Sequence, residues 1–366
     1  MRDGVVLHAQ KVAGISGSEA HLLQLLPDLR ARGLDVRFLM LHEGEPGAWE
    51  FARELRGRGV PLEGVRLRAD VDPIALGEVV ARLVRIRPRI LHTHLVHADV
   101  YGQLAGALTG VPLRLSTKHG FNEFREGRWF GLADRTVGSL AHVHIAISQG
   151  LARYLAETEG FREEVFEIVH YGIAARDTFS PYVGAEPRLL CIGRLIPIKG
   201  HLVLLRALAR ARARVPGVTL DVAGRGPLGP ALKAYARELG LREAVRFLGF
   251  VSPVEEAIER AAIVVVPSLG EGFGMVALEA MERGRPVIAS AVGGLPEIVA
   301  DGETGLVVPP GDAEALADAI VALAGDLGRA AAMGRAGRAR ALAEFTPELC
   351  ADRIEALYAA VLGDAG

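Results

Sequence analysis

The sequence predicts an α/β chain of two Rossmann-like, doubly wound parallel-sheet domains facing each other across a cleft. Three observations lead there. Short β-branched runs alternate with longer Ala/Leu/Arg stretches of helical period, the pattern of βαβ units. The alternation lapses once, at Tyr171–Pro187 (YGIAARDTFSPYVGAEP), where Pro181, Gly184 and Pro187 interrupt it, and then restarts. A length of 366 residues favours two cores over one.

In the first half, strands are expected at Val5–His8, Val36–Leu41, Ile90–His92, Leu113–Thr117 and His144–Ile147, with helices at Glu19–Arg32 and Pro73–Arg87. In the second half, strands are expected at Arg188–Ile192, Thr219–Ala223, Val245–Phe247, Ile263–Val266 and Pro286–Ala289. Helices at His201–Val215, Leu228–Leu239 and Glu314–Leu323 fill the gaps. The domains are thus expected at 1–175 and 188–346, with a linker at 176–187. The tail 347–366 has helical period over about Pro347–Leu362 and is expected to pack back on the first domain.

Half of the residues are hydrophobic, the net charge is -2, and no long run of one sign occurs. A basic face for nucleic acid is therefore not indicated. Cys191 and Cys350 are far apart, without metal-ligand or disulfide spacing, which suits a reducing compartment. The N-terminal MRDGVVLHAQ enters a strand-length apolar stretch rather than a secretory segment, and Ala261–Pro267 (AAIVVVP) is too short to cross a bilayer. The expectation is a cytoplasmic monomer or homodimer, with peripheral contact at the inner face of the membrane left open. Lysine occurs only at Lys11, Lys118, Lys199 and Lys233, so a lysine beside a motif draws notice.

Two motifs of the second half follow strands and open helices. In Glu271-Gly-Phe-Gly-Met-Val-Ala-Leu-Glu279, Gly272 and Gly274 let backbone approach a ligand, and a helix starting near Met275 aims free N–H groups at an anion. Glu279 lies one turn below, placed to accept from ribose hydroxyls, while Glu271 can accept from sugar hydroxyls. The bland reading, a capping acid and a solvated helix acid, is outweighed by the glycines and the strand–loop–helix context. In Gly193–Gly200 (GRLIPIKG), the Arg194 fork and the Lys199 point charge suit a diphosphate leaving group.

Weaker signals come from the first half. Gly17, in Gly14-Ile-Ser-Gly17-Ser18-Glu19, offers backbone access at a helix start, although Ser16 or Ser18 can serve simply as N-cap. His92, His94 and His97 alternate at a strand end, and His119 follows another strand. No nearby cysteine or carboxylate cluster completes a coordination set, so no metal is expected.

The loops Gly193–Gly200, Ala223–Pro227 (AGRGP) and Phe247–Val251 (FLGFV), then PSLGEGFGMVALEAM, Gly293–Val299 and Gly302–Asp312, occur in an order that resembles the family-4 retaining glycosyltransferases of the GT-B fold. The likeness is specific over about Arg188–Asp312 and looser before it. It implies that Glu271 holds donor-sugar hydroxyls and Glu279 the ribose, as the two acids of the family's E-x7-E motif. It also implies backbone contacts to sugar and phosphate near Gly272, Phe273, Gly274, Met275 and Val276. Gly193, Gly224 and Gly226 line the donor loops in this reading, Arg194 and Lys199 meet the diphosphate, Gly17 packs on the phosphates, and His119 sits beside the transferred sugar. The chain departs from the family pattern at Ser16-Gly17, usually Gly-Gly, and at His170-Tyr-Gly172-Ile-Ala174, which lacks the usual aspartate.

The resemblance implies transfer from a nucleotide-sugar, a UDP-sugar by family frequency, to a sugar or lipid-linked hydroxyl with front-face attack. Domain closure is expected to exclude water, and no cofactor or metal is expected. The acceptor is expected on the first domain near His94, Asp99, Tyr101 and Lys118, with the aromatic and cationic stretch through Trp129. The alternatives are a nucleotide-sugar epimerase on the same fold and an inactive scaffold subunit of a glycan-assembly complex. A phosphorylase would be much longer, and a nicotinamide dehydrogenase would need the missing G-x-G-x-x-G.

Overall fold

The structure is a computed structural model, and it describes residues 4–120, 137–176, 182, 184 and 186–363. The chain divides into two units, 1–172 with 347–366, and 173–346.

The first unit holds a parallel sheet of seven strands: β1 (Val5–Lys11), β2 (Asp35–His42), β3 (Leu62–Arg66), β4 (Ile90–His94), β5 (Leu113–Lys118), β6 (Val143–Ala146) and β7 (Phe166–Ile168). Their order is β3-β2-β1-β4-β5-β6-β7, so chain direction across the sheet reverses between β1 and β4. The central strands are buried on both faces, and their carboxyl halves carry buried polar side chains, among them His8, His92, His94 and Thr117. Leu22, Leu25, Leu26 and Leu29 of the helix Gly17–Ala31 cover one face together with Phe38 and Phe51.

The second unit repeats the plan with six strands: β8 (Arg188–Ile192), β9 (Thr219–Ala223), β10 (Val245–Gly249), β11 (Ile263–Val266), β12 (Val287–Ser290) and β13 (Gly305–Val308). The order β10-β9-β8-β11-β12-β13 reverses between β8 and β11. In such sheets ligands gather beyond the carboxyl ends of the strands at that reversal. The loops after β8 and β11 are those that carry the two strong sequence motifs.

The boundaries differ from the sequence expectation. The first division falls after Gly172, ahead of 175, because Ile173 N–H donates to Phe345 O and Arg176 N–H to Glu282 Oε1, tying the start of the expected linker to the second unit. Most of the remaining linker lies outside the described residues. The helix Pro347–Gly363 belongs to the first unit, where Cys350, Ala351, Ile354 and Tyr358 enter the core. The strands β3, β7 and β13 have no counterpart in the sequence reading. They are short and lie at or next to sheet edges, and two of them contain glycine.

Candidate functional site

In the second unit, the loops after β8 and β11 are joined by Leu269 N–H donating to Ile198 O at 2.7 Å. That bond sets Lys199 against Glu271. Lys199 Nζ donates to Glu271 Oε2 at 2.7 Å, and the buried Ser268 hydroxyl donates to the same oxygen at 3.1 Å. Two residues expected to meet different parts of a ligand thus meet each other. The pair is partly exposed, with side-chain exposures of 24% and 16%. Such a pair is worth about 1 kcal/mol, little enough for a phosphate and a sugar hydroxyl to take over its two halves. Arg194 is exposed at the mouth of the same loop and makes no ion pair among the described residues.

The helix Met275–Glu282 starts from Gly274 at φ 116, a conformation that suits glycine, and a Cβ there would approach Leu295 Cδ2 to 2.6 Å. Ala277 and Leu278 donate to Gly274 O, and no side chain caps the helix. Among the described residues the amides of Met275 and Val276 have no acceptor, which leaves two donors at the positive end of the helix. Phe273 is buried, its ring edge-on to Phe345. Glu279, one turn on, is only partly exposed. Burial pushes its carboxyl up to about 7, Glu255 adds to the rise and Arg176 opposes it. A hydroxyl donor placed there would favour the charged form.

Gly224 and Gly226 line a cavity of about 620 Å³ beyond β8, β9 and β10, with Leu195, Arg225, Lys233 and Phe247 on its walls. The missing side chains are required by loop packing: a Cβ on Gly224 would stand 1.8 Å from Gly193 O, and one on Gly226 2.5 Å from Leu195 O. These two glycines therefore shape the wall by letting the loops after β8 and β9 touch. A Cβ on Gly193 would meet only the Lys199 stem, at 3.7 Å.

The first unit is organised differently. His8 on β1 pairs in register with His92 on β4, and Thr117 on β5 with His94, so the four side chains share one face of adjacent strands. His8 Nδ1 meets His94 Nε2 at 2.9 Å, and His94 Nδ1 meets His119 Nε2 at 2.8 Å. His92 meets Thr117 Oγ1 at 2.6 Å and the Tyr358 hydroxyl at 2.7 Å, and that hydroxyl also meets His8 Nε2 at 3.1 Å. His119 Nδ1 is bonded to the Tyr171 hydroxyl. Burial holds all four imidazoles below their ordinary value, His92 at about 3, so they are neutral at physiological pH. Burial likewise raises the Tyr171 and Tyr358 phenols well above 10.0. By distance alone His8, His92 and His94 could hold an ion, their ligand atoms lying within 4.8 Å of one another, but every nitrogen of the three already has a partner.

The other first-unit candidates lie within this network or beside it. His119 was expected to reach substrate, and both of its ring nitrogens are engaged internally. His94 is buried beside it. Asp99 and Lys118 form a fully buried ion pair at 2.6 Å, with Thr93 Oγ1 also donating to Asp99, which ties β4, β5 and the following helical segment together. Tyr101 is buried, its hydroxyl accepting from Asp72 N–H and donating to Asp70 O. His97 stands apart, near Asp70 and Lys11. Nothing lies within 4 Å of where a Gly17 Cβ would sit. Ser16 is the N-cap there, and the Glu19 carboxylate turns back to Ser16 N–H at 3.1 Å, so that helix start already carries its own anion. Beyond Gly120, the aromatic and cationic stretch through Trp129 lies outside the described residues.

Sequence reasoning missed His8, Tyr171 and Tyr358. A histidine at the same depth of two apolar strands, VVLHAQ and ILHTH, was the available signal for His8. Tyr358 is a single phenol in an Ala/Leu-rich helix far away in sequence, and nothing local marks it. Among the described residues no helix is long and apolar enough to cross a membrane.

Comparison with known proteins extends these observations. Residues 186–326 match the family described as glycosyl transferases group 1, and residues 16–172 match the glycosyl transferase 4-like domain. The chain is 41% identical over 170 residues to a GDP-mannose-dependent alpha-(1-6)-phosphatidylinositol monomannoside mannosyltransferase of Mycolicibacterium smegmatis, a stretch that spans 44% of this chain and 44% of that relative. It is 32% identical to the D-inositol 3-phosphate glycosyltransferase of Mycobacterium bovis, over 95% of this chain and 79% of the relative. The crystal structure of Anabaena HepE with UDP and glucose shares the fold, with a TM-score of 0.84 and 21% identity over 98% of this chain and 100% of that one.

Proposed function

Because this chain belongs to the group 1 glycosyltransferase family, we propose that it moves a glycosyl unit from a nucleoside diphosphate sugar to a hydroxyl acceptor with retention at the anomeric carbon. The observation that carries this reading is the convergence of Arg194, Lys199, Glu271 and the uncapped amides of Met275 and Val276 at the strand-order reversal of the second unit.

The diphosphate lies against Arg194, Lys199 and the two amides, which stabilise the charge that gathers on the departing oxygen. Lys199 leaves Glu271 to do this, and Glu271 turns to the sugar hydroxyls. Glu279 accepts from the ribose. The bond from the anomeric carbon to the phosphate oxygen breaks while the bond to the acceptor oxygen forms on the same face, and the acceptor proton passes to the leaving phosphate oxygen. The cations and amides fill the electrostatic role of a metal, so transfer is expected to persist in a chelator. His119 contributes as a neutral ring held in place rather than as a free base, since both nitrogens are bonded within the first unit. The relatives named above direct the choice of donor and acceptor: a UDP-hexose, as the sequence favours, against GDP-mannose, and inositol phosphate or a phosphoinositide mannoside.

The test is product analysis by NMR with those donors and acceptors, in the presence of a chelator. An α-linked product from an α-linked donor is expected. Glu271→Ala should slow transfer on the order of 10²–10³-fold with its melting temperature held. A β-linked product removes the retaining mechanism, and donor epimerised without transfer moves the chain to the epimerase reading.

A further inference from the structure

Thr117, His92, Tyr358, His8, His94, His119 and Tyr171 form a continuous chain of hydrogen bonds, each histidine using both ring nitrogens. A neutral imidazole has one N–H and one lone pair, so each ring that receives a proton from one side must donate on the other. The Tyr358 hydroxyl carries the same constraint between His92 and His8. The chain therefore has two orderings. If Thr117 donates at its head, every histidine carries its proton on Nδ1; if Tyr171 donates at the other end, every histidine carries it on Nε2.

Thr117 decides between them. Its hydroxyl is buried, and among the described residues His92 Nε2 is its sole side-chain partner. In the second ordering the Thr117 proton would have no acceptor, a loss of about 1–3 kcal/mol. We propose that these seven side chains form one polarised relay and that Tyr358, on the C-terminal helix, is a positioning residue that holds His119 as its neutral Nδ1–H tautomer. The final helix of the chain thereby sets the protonation pattern of a residue in the loop after β5. The backbone is strained at the same place: Leu95, directly after His94, adopts φ 66, a left-handed conformation that costs a leucine about 1 kcal/mol. The effect on turnover rests on the transferase reading of His119; the tautomer pattern does not.

The experiment is long-range ¹H–¹⁵N correlation of the histidine side chains, with steady-state kinetics on the same samples, for wild type, Tyr358→Phe and Thr117→Val. The expected wild-type spectrum shows His8, His92, His94 and His119 all neutral and all Nδ1–H. Tyr358→Phe should release His8, His94 and His119 into mixed tautomers and lower kcat roughly tenfold with KM unchanged. Thr117→Val removes the hydroxyl that sets the direction and should leave the four rings in mixed tautomers, a second reading should Tyr358→Phe fail to fold. Different tautomers among the four wild-type rings, or a protonated one, overturn the relay. A Tyr358→Phe protein with the wild-type His119 tautomer, or with unchanged kcat, overturns the positioning role. Absence of turnover from any donor counts against the transferase reading alone, because the spectra still decide the relay.

Discussion

In the first unit, β1 and β4 carry His8, His92 and His94 toward the strand-order reversal, all buried, with His8 bonded to His94 and His92 linked to His8 through the Tyr358 hydroxyl. In the second, the same place beyond β8 and β11 opens into loops that hold Arg194, Lys199 and Glu271 at partial exposure. The two sheets share their topology around the reversal, yet one is closed by neutral rings and the other is left as a charged cradle. The difference lies in the side chains at the strand ends and in the loops beyond them. Glycine at 224, 226 and 274 lets the second-unit loops pack against one another and leaves amides and cations facing outward. In the first unit, rings and hydroxyls fill the equivalent volume and satisfy each other's hydrogen bonds. Architecture supplies the location, and the side chains decide whether it is a ligand site or a rigid support.

The largest effect that separates the units is acid sensitivity. His21 and His92 are held at about 3 by burial, against an ordinary 6.5. Below pH 6.5 the unfolded chain binds protons that these folded rings refuse, so the first unit is at full stability above 6.5 and loses it as pH falls toward 3. At pH 5 the loss is about 2 kcal/mol for each of the two. In the second unit Glu279, raised to about 7, binds its proton more readily when folded and so gains stability as pH falls from 7 toward 4.5. His201, lowered to about 4 by burial, opposes that gain. Hydrogen exchange on peptides from β1 and β11, between pH 7.5 and 5, should show the first unit opening far more readily and the second changing little. Equal changes in both would erase the contrast.

A smaller effect concerns how the C-terminal helix is fastened to the first unit. Arg32 bonds Asp352, Glu355 and Glu348 O from the end of the helix Gly17–Ala31, at a largely exposed rim, whereas Tyr358 and Ile354 sit in the core. Arg32→Ala should therefore cost no more than about 1 kcal/mol in chemical denaturation, leaving the helix docked. A loss of several kcal/mol would mean that the rim rather than the core holds it.

Much of this contrast was legible in the sequence. β8, β9 and β11 coincide with the expected runs, because short, largely apolar β-branched segments between turn residues are local signals. The loops with Glu271 and Lys199 were legible because glycine and charge at fixed spacing are local signals. The first-unit site was not. Asp99 and Lys118 looked like acceptor ligands, since two opposite charges far apart in sequence give no sign that the fold brings them together in the core. His119 looked free for the same reason, its partners His94 and Tyr171 standing on other elements. The helix Leu327–Glu344 went unread because its small residues suggest looseness, whereas Gly334 is required by the close approach of Gly284 O, 2.1 Å from where its Cβ would be.

Titration calorimetry decides whether the second-unit cradle holds a nucleoside diphosphate sugar. UDP-glucose and GDP-mannose would be titrated into wild type and Glu279→Gln from pH 6 to 8, using sugar conjugates because their phosphates do not titrate in that range. One donor should bind wild type with affinity rising through about pH 7, where Glu279 ionises. Glu279→Gln should bind it roughly tenfold or more weakly with a flat pH profile, the loss of one charge-assisted hydrogen bond. Binding that ignores both pH and Glu279→Gln, or no binding of either donor, would mean that the cradle is not a donor site.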